Sequence, residues 1–99
     1  MFFGVDPAAM ATSAAAMTGL GAQMTGVNAA AAAPTIGVIP PGLDPTSALV
    51  ALSLSAHGGM FQAMAAAADV VHQMASVNLA TNGATYLAVD TAAATGALL

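Results

Sequence analysis

The run PTIGVIPPGLDP, residues 34–45, decides how the rest of the chain is read. Four of its residues are proline and two are glycine. A helix does not run through such a stretch, because proline lacks the amide donor and pushes the residue before it towards extended backbone. The run closes on Asp44-Pro45, and the same pair occurs earlier as Asp6-Pro7. An Asp at the N-cap accepts hydrogen bonds from first-turn amides, and Pro at the next position has its φ preset for helix. Two start signals around one break predict an all-α fold, a two-helix antiparallel hairpin. The expected elements are a helix over about 7–33, a turn at 34–44 and a longer helix over about 45–82. The first helix is expected to end by Ala33, the residue before Pro34. Asn82-Gly83 reads as the stop of the second. Residues 1–84 then form the domain, and 85–99 a flexible C-terminal tail.

At 99 residues the chain is one domain or part of one, and a lone core of that size is marginal. It has no Lys or Arg, four Asp and two His, for a net charge of −4. Nucleic-acid binding is excluded, since no cation neutralises phosphate, and an anionic membrane surface would repel the chain. There is no Cys, so no disulfide framework and no thiolate metal site. MFFGVDP has no basic n-region and is too short for the apolar segment of a secretory signal peptide. Ala, the strongest helix former, supplies 28 residues and much of the 59% hydrophobic content. Seven Met supply flexible bulk that fills irregular gaps.

In helix one, Met10, Met17, Met24 and Ala31 fall seven apart, with Ser13, Leu20 and Val27 interleaved as the other seam position. Thr12, Thr18, Gln23, Thr25 and Asn28 lie on the opposite face. In helix two, Leu49, Leu52, Ala56, Met60, Ala63, Ala67, Met74 and Val77 form one stripe, which Val50, Leu54, Phe61, Met64 and Val71 widen. One neighbouring helix cannot cover a stripe that wide. A partner is therefore expected over Met10, Met17, Leu20, Met24, Leu49, Leu52, Met60, Phe61, Met64, Val71 and Met74. Gly58-Gly59 marks a kink or a close backbone approach. In the turn, Ile36, Val38, Ile39 and Leu43 are expected to pack over the end of the hairpin. The uncharged spans 7–43 and 45–68 also admit a small two-span membrane hairpin. Gly19, Gly21, Gln23, Gly26 and Asn28 in the first span, with no Trp belt or basic flank, count against it.

Catalytic constellations are sparse. His57 and His72 are 15 residues apart, about 22 Å along a helix, and cannot share a metal. Asp69 and His72, three apart, make at most a surface pair, and two ligands are not a zinc site. Ser13, Ser47, Ser53, Ser55 and Ser76 lack a G-x-S-x-G elbow, and a phosphate loop requires a Lys that the chain lacks. No enzyme, cofactor or metal is expected. Tyr86, the only tyrosine, and Asp90 share one face if the tail is helical. They form either a patch that a receptor reads or a Tyr resting on a frayed helix end.

Taken in order, the motifs resemble the PE family of mycobacterial proteins over nearly the whole chain. NAAAAAPT from Asn28 and GVIPPGLDPTSAL, residues 37–49, resemble that family's turn and the opening of its second helix. AHGGMFQAM, residues 56–64, and VVHQM, residues 70–74, resemble the body of that helix. Tyr86 and Asp90 match its Y-x-x-x-[DE] secretion signal. One departure is Ala8 after Pro7, where the family has Glu; the lost first-turn acid costs about 0.3–1 kcal/mol of dipole stabilisation. The resemblance implies a non-enzymatic subunit that pairs with a PPE protein to complete a four-helix bundle. It further implies that an EspG-type secretion chaperone binds through the PPE partner. Export would then follow by a type VII (ESX) secretion system, to the cell surface or outside. An envelope-embedded transport component formed after export is the alternative role.

Overall fold

The computed structural model describes residues 4–98. Met1–Phe3 and Leu99, the ends of the expected domain and tail, lie outside the described residues. Two helices account for nearly all of the rest, α1 over Pro7–Ile36 and α2 over Pro45–Ala97, with no strand among the described residues.

Both helices start at their Asp-Pro pairs. Asp6 Oδ1 accepts the Ala8 and Ala9 amides at 2.9 and 3.1 Å. Asp44 Oδ1 accepts the Ser47 amide at 2.9 Å, and the Ser47 hydroxyl donates to Asp44 Oδ2 at 2.6 Å. The Ser47 hydroxyl, then the Ser47 amide, hold the Asp44 carboxyl below its ordinary pKa.

The helix ends differ from expectation. α1 does not stop at Ala33 but carries Pro34 in its last turn and ends at Ile36. The missing proline amide leaves the Ala30 carbonyl without its usual helical donor. The Thr35 hydroxyl reaches the carbonyls of Ala31 and Ala32 at 2.7 and 3.1 Å, and the Gly37 amide caps Ala33 at 2.9 Å. α2 does not stop at Asn82-Gly83 but continues to Ala97, so the segment expected to be a flexible tail is helix. No glycine among the described residues has positive φ, so Gly83 is not a left-handed cap. It is instead a point of close approach. A Cβ there would lie 3.2 Å from Met10 Cβ and 3.4 Å from the Pro7 carbonyl. Beyond it, Ala-rich sequence favours helix, and the hydroxyls of Thr85, Thr91 and Thr95 fold back onto carbonyls one turn earlier.

The chain forms two compact units, each pairing a stretch of α1 with a stretch of α2. One unit comprises the described parts of Met1–Gly21 and Val71–Leu99; the other is Ala22–Val70. In the first, Ala14, Gly21, Ser76 and Gly83 are buried. Thr18 and Ser76 share a 2.7 Å hydrogen bond, and Ser76 donates on to the Ala14 carbonyl at 3.0 Å. His72 Nε2 lies 2.6 Å from the Met17 carbonyl, so that nitrogen carries the proton. Its ring sits where a Gly21 Cβ would be 2.9 Å from His72 Cδ2.

In the second unit, Ala51 and Gly58 are buried. The Thr25 hydroxyl donates to Asp69 Oδ2 at 3.1 Å, and the Asn28 amide reaches Oδ1 at 3.5 Å. Gln62 donates to the Thr35 hydroxyl at 3.1 Å, and the Val38 amide to Ser55 Oγ at 3.3 Å. At Gly58-Gly59 the helix is unbroken. Gly58 packs so tightly that a Cβ would fall on the Thr35 carbonyl, whereas Gly59 has open space.

The seam between the helices therefore runs one residue away from the expected one on half its positions. Met10 and Met17, and in the other unit Met24 and Ala31, are half-buried. Their interleaving partners are Ala14, Gly21 and Asn28, while Ser13, Leu20 and Val27 are exposed. Small side chains let the backbones close, and Leu or Val at those places would hold them apart. Asp69 is held by Thr25 and Asn28 of α1, and His72 by the Met17 carbonyl.

Candidate partner interface and tail patch

The α2 residues on the side of α1 and the turn are small or polar, apart from Leu79. They are Ala51, Ser55, Gly58, Gln62, Ala65 and Asp69 in one unit, and His72, Ser76, Leu79 and Gly83 in the other. Each set steps by three or four, the period of a helix seam. The other large apolar side chains are elsewhere. In the unit Ala22–Val70, Leu49, Met60 and Met64 fall on the side of α2 away from the seam, with Leu52 and Phe61 on its flanks. All five are exposed, Phe61 the least at 47%. In the other unit Val71, Met74 and Val77 are exposed on α2, and Leu20 is exposed on α1. Among the described residues no large side chain is fully buried.

This is an inverted hairpin, with hydrogen bonds and close backbone contact inside and apolar bulk outside. An apolar face of that kind on a helix marks an interaction surface. Met10, Met17 and Met24 contribute differently from the rest of the expected partner set, because the seam with α2 already covers part of each. The turn side chains do not close over the hairpin end as a group. Val38 is half-buried, but Ile36, Ile39 and Leu43 are exposed.

Tyr86 and Asp90 lie three and seven residues beyond Gly83, so they continue the seam register of α2 past the start of α1 at Pro7. Tyr86 is 45% exposed and Asp90 is exposed. Asn82, Thr85, Tyr86 and Val89 line an open groove on this stretch. The result is an aromatic ring, a hydroxyl and a carboxylate on consecutive turns of one helix. Among the described residues no three His, Cys, Asp or Glu come together as a metal site. His57 is exposed, and the seam serine, Ser76, is committed to Thr18 and Ala14.

Fold and surface together define a class: an all-helical hairpin protein whose second helix turns its apolar face away from the first. Within that class the chain belongs to the PE family, whose family model matches residues 3–93. It is 40% identical to PE family protein PE13 of Mycobacterium tuberculosis strain H37Rv, over 92% of this chain and 92% of that protein. PE8 of the same strain is 43% identical over 76% of this chain but only 28% of its own length. PE_PGRS3, from strain CDC 1551, is 36% identical over 88% of this chain and 9% of its own. None of these names states a catalytic activity.

Proposed function

We propose that this PE protein is a non-enzymatic subunit that forms an obligate heterodimer with a PPE-family protein, exported by a type VII secretion system to the cell surface or outside. The inverted hairpin carries the reading. The polar groups of the seam satisfy one another between α1 and α2, while Leu49, Met60, Phe61, Met64, Val71 and Met74 are exposed. Two helices from another chain, laid lengthwise, make a four-helix bundle and give that face its core. Fully burying one such side chain is worth about 1.5–3 kcal/mol, comparable with much of a small domain's net stability. An EspG-type chaperone acts through the PPE partner, and the Tyr86/Asp90 patch is read by the export machinery.

Co-expression with a PPE partner tests the pairing. Phe61→Asp or Met64→Asp is expected to abolish co-purification, and retention of the complex by both variants would refute this interface. The second reading is a membrane hairpin, favoured by one observation: α2 is long and apolar enough to cross a bilayer, with a mean hydropathy of 1.2 over its most apolar window. A two-span hairpin needs α1 to qualify as well, and α2 is the one helix among the described residues that does. At 53 residues, α2 is also about 80 Å long, far more than the roughly 30 Å hydrocarbon core.

A further inference from the structure

We propose that the outward-facing methionines of α2 are a peroxide-sensitive modification site, and that their oxidation to sulfoxide prevents assembly with the partner. The proposal rests on the partner reading above. The chain has no cysteine, so its oxidisable sulfur is all thioether. Met60 and Met64 lie one turn apart on one side of α2, 54% and 66% exposed. In the other unit Met74 is 60% exposed. Met10, Met17 and Met24 are half-buried in the seams. Thioethers on the partner face are thus open to solvent in the unpaired chain and would be covered once the partner is in place.

The chemistry needs only a peroxide. The thioether sulfur attacks one oxygen of hydrogen peroxide, an S–O bond forms and the O–O bond breaks. Sulfur is oxidised by two electrons and the second oxygen leaves as water, taking up the proton shed by the first. A flexible apolar side chain becomes a polar one, and methionine sulfoxide reductases reverse the change. Burying a sulfoxide in an apolar interface without a donor opposes assembly. The modification therefore separates unpaired from paired chain, since only the former exposes the site.

The test uses the full chain held in mild detergent, treated with hydrogen peroxide, analysed by peptide mass and then mixed with the PPE partner. Oxidation at Met60, Met64 and Met74 is expected to lower capture by about tenfold or more. Treatment with the reductases is expected to restore it. The variant Met60→Leu/Met64→Leu/Met74→Leu should be captured equally before and after peroxide, although Met10, Met17 and Met24 remain oxidisable. In the preassembled complex the three methionines should oxidise several-fold more slowly than in the free chain. Undiminished capture of the oxidised wild type overturns the proposal, as does equal loss by the leucine variant, which would place the sensitivity at one of the other methionines. If untreated wild type is not captured at all, the partner reading fails and this proposal with it.

Discussion

Gly58 and Gly59 are neighbours in sequence with opposite demands. At Gly58 an added Cβ meets the Thr35 carbonyl, which is backbone and cannot swing aside, whereas at Gly59 it meets nothing within 4 Å. Ala at an open helical site gains up to about 1 kcal/mol over Gly, while overpacking costs about 1–3 kcal/mol. Gly59→Ala is therefore expected to raise the melting temperature of the assembled protein and Gly58→Ala to lower it. Equal shifts would contradict the close approach. Gly-Gly in the sequence signals a kink or a contact, but which glycine faces α1 depends on register, and the larger apolar stripe hides the small-residue one. Asp44 carries a second residue-level prediction. Its folded pKa is below its unfolded value, so its stabilisation is present above the ordinary carboxylate range and is lost as pH falls through the folded pKa. Asp44→Ala should melt lower than wild type at neutral pH, and the gap should narrow below about pH 4. A gap independent of pH would remove the carboxylate from the cap's account.

The helix starts were legible because an Asp-Pro cap is a local signal, complete within four residues. The ends were not, because they depend on what the terminal residues touch. Pro34 is tolerated where Thr35 and Gly37 serve the last carbonyls, and Gly83 serves packing against Met10 instead of ending α2. That extension turns the tail residues into a helical patch, with consequences for export. Tyr86→Ala or Asp90→Ala should leave complex stability within roughly ±0.5 kcal/mol, as expected of surface changes, yet retain the protein inside the cell. Asp90→Glu should be exported. Ala88→Pro keeps both side chains but breaks the turn between them, at about 3 kcal/mol locally. Comparing culture filtrate with lysate for these variants separates the possibilities. Export of Ala88→Pro at wild-type level would show that the residues, and not their helical spacing, are read.

At the scale of the whole molecule, the wide apolar stripe on α2 was legible in the sequence, and its large side chains are exposed. The arrangement inside the hairpin was not. Reading apolar residues as core places Leu20 and Val27 in the seam, but the two helices meet through Ala14, Gly21, Asn28, Gly58 and Ser76, with hydrogen bonds between them. An internal seam of polar pins is recognisable only once register fixes which hydroxyl meets which carbonyl. Under the proposed pairing, this fold is incomplete without a second chain. Sedimentation and thermal melting of the purified chain, alone and with its PPE partner, test that claim most directly. Aggregation or a broad, non-cooperative melt is expected for the chain alone, and a monodisperse one-to-one complex with a single cooperative transition for the pair. A monodisperse monomer that melts cooperatively without a partner would contradict it.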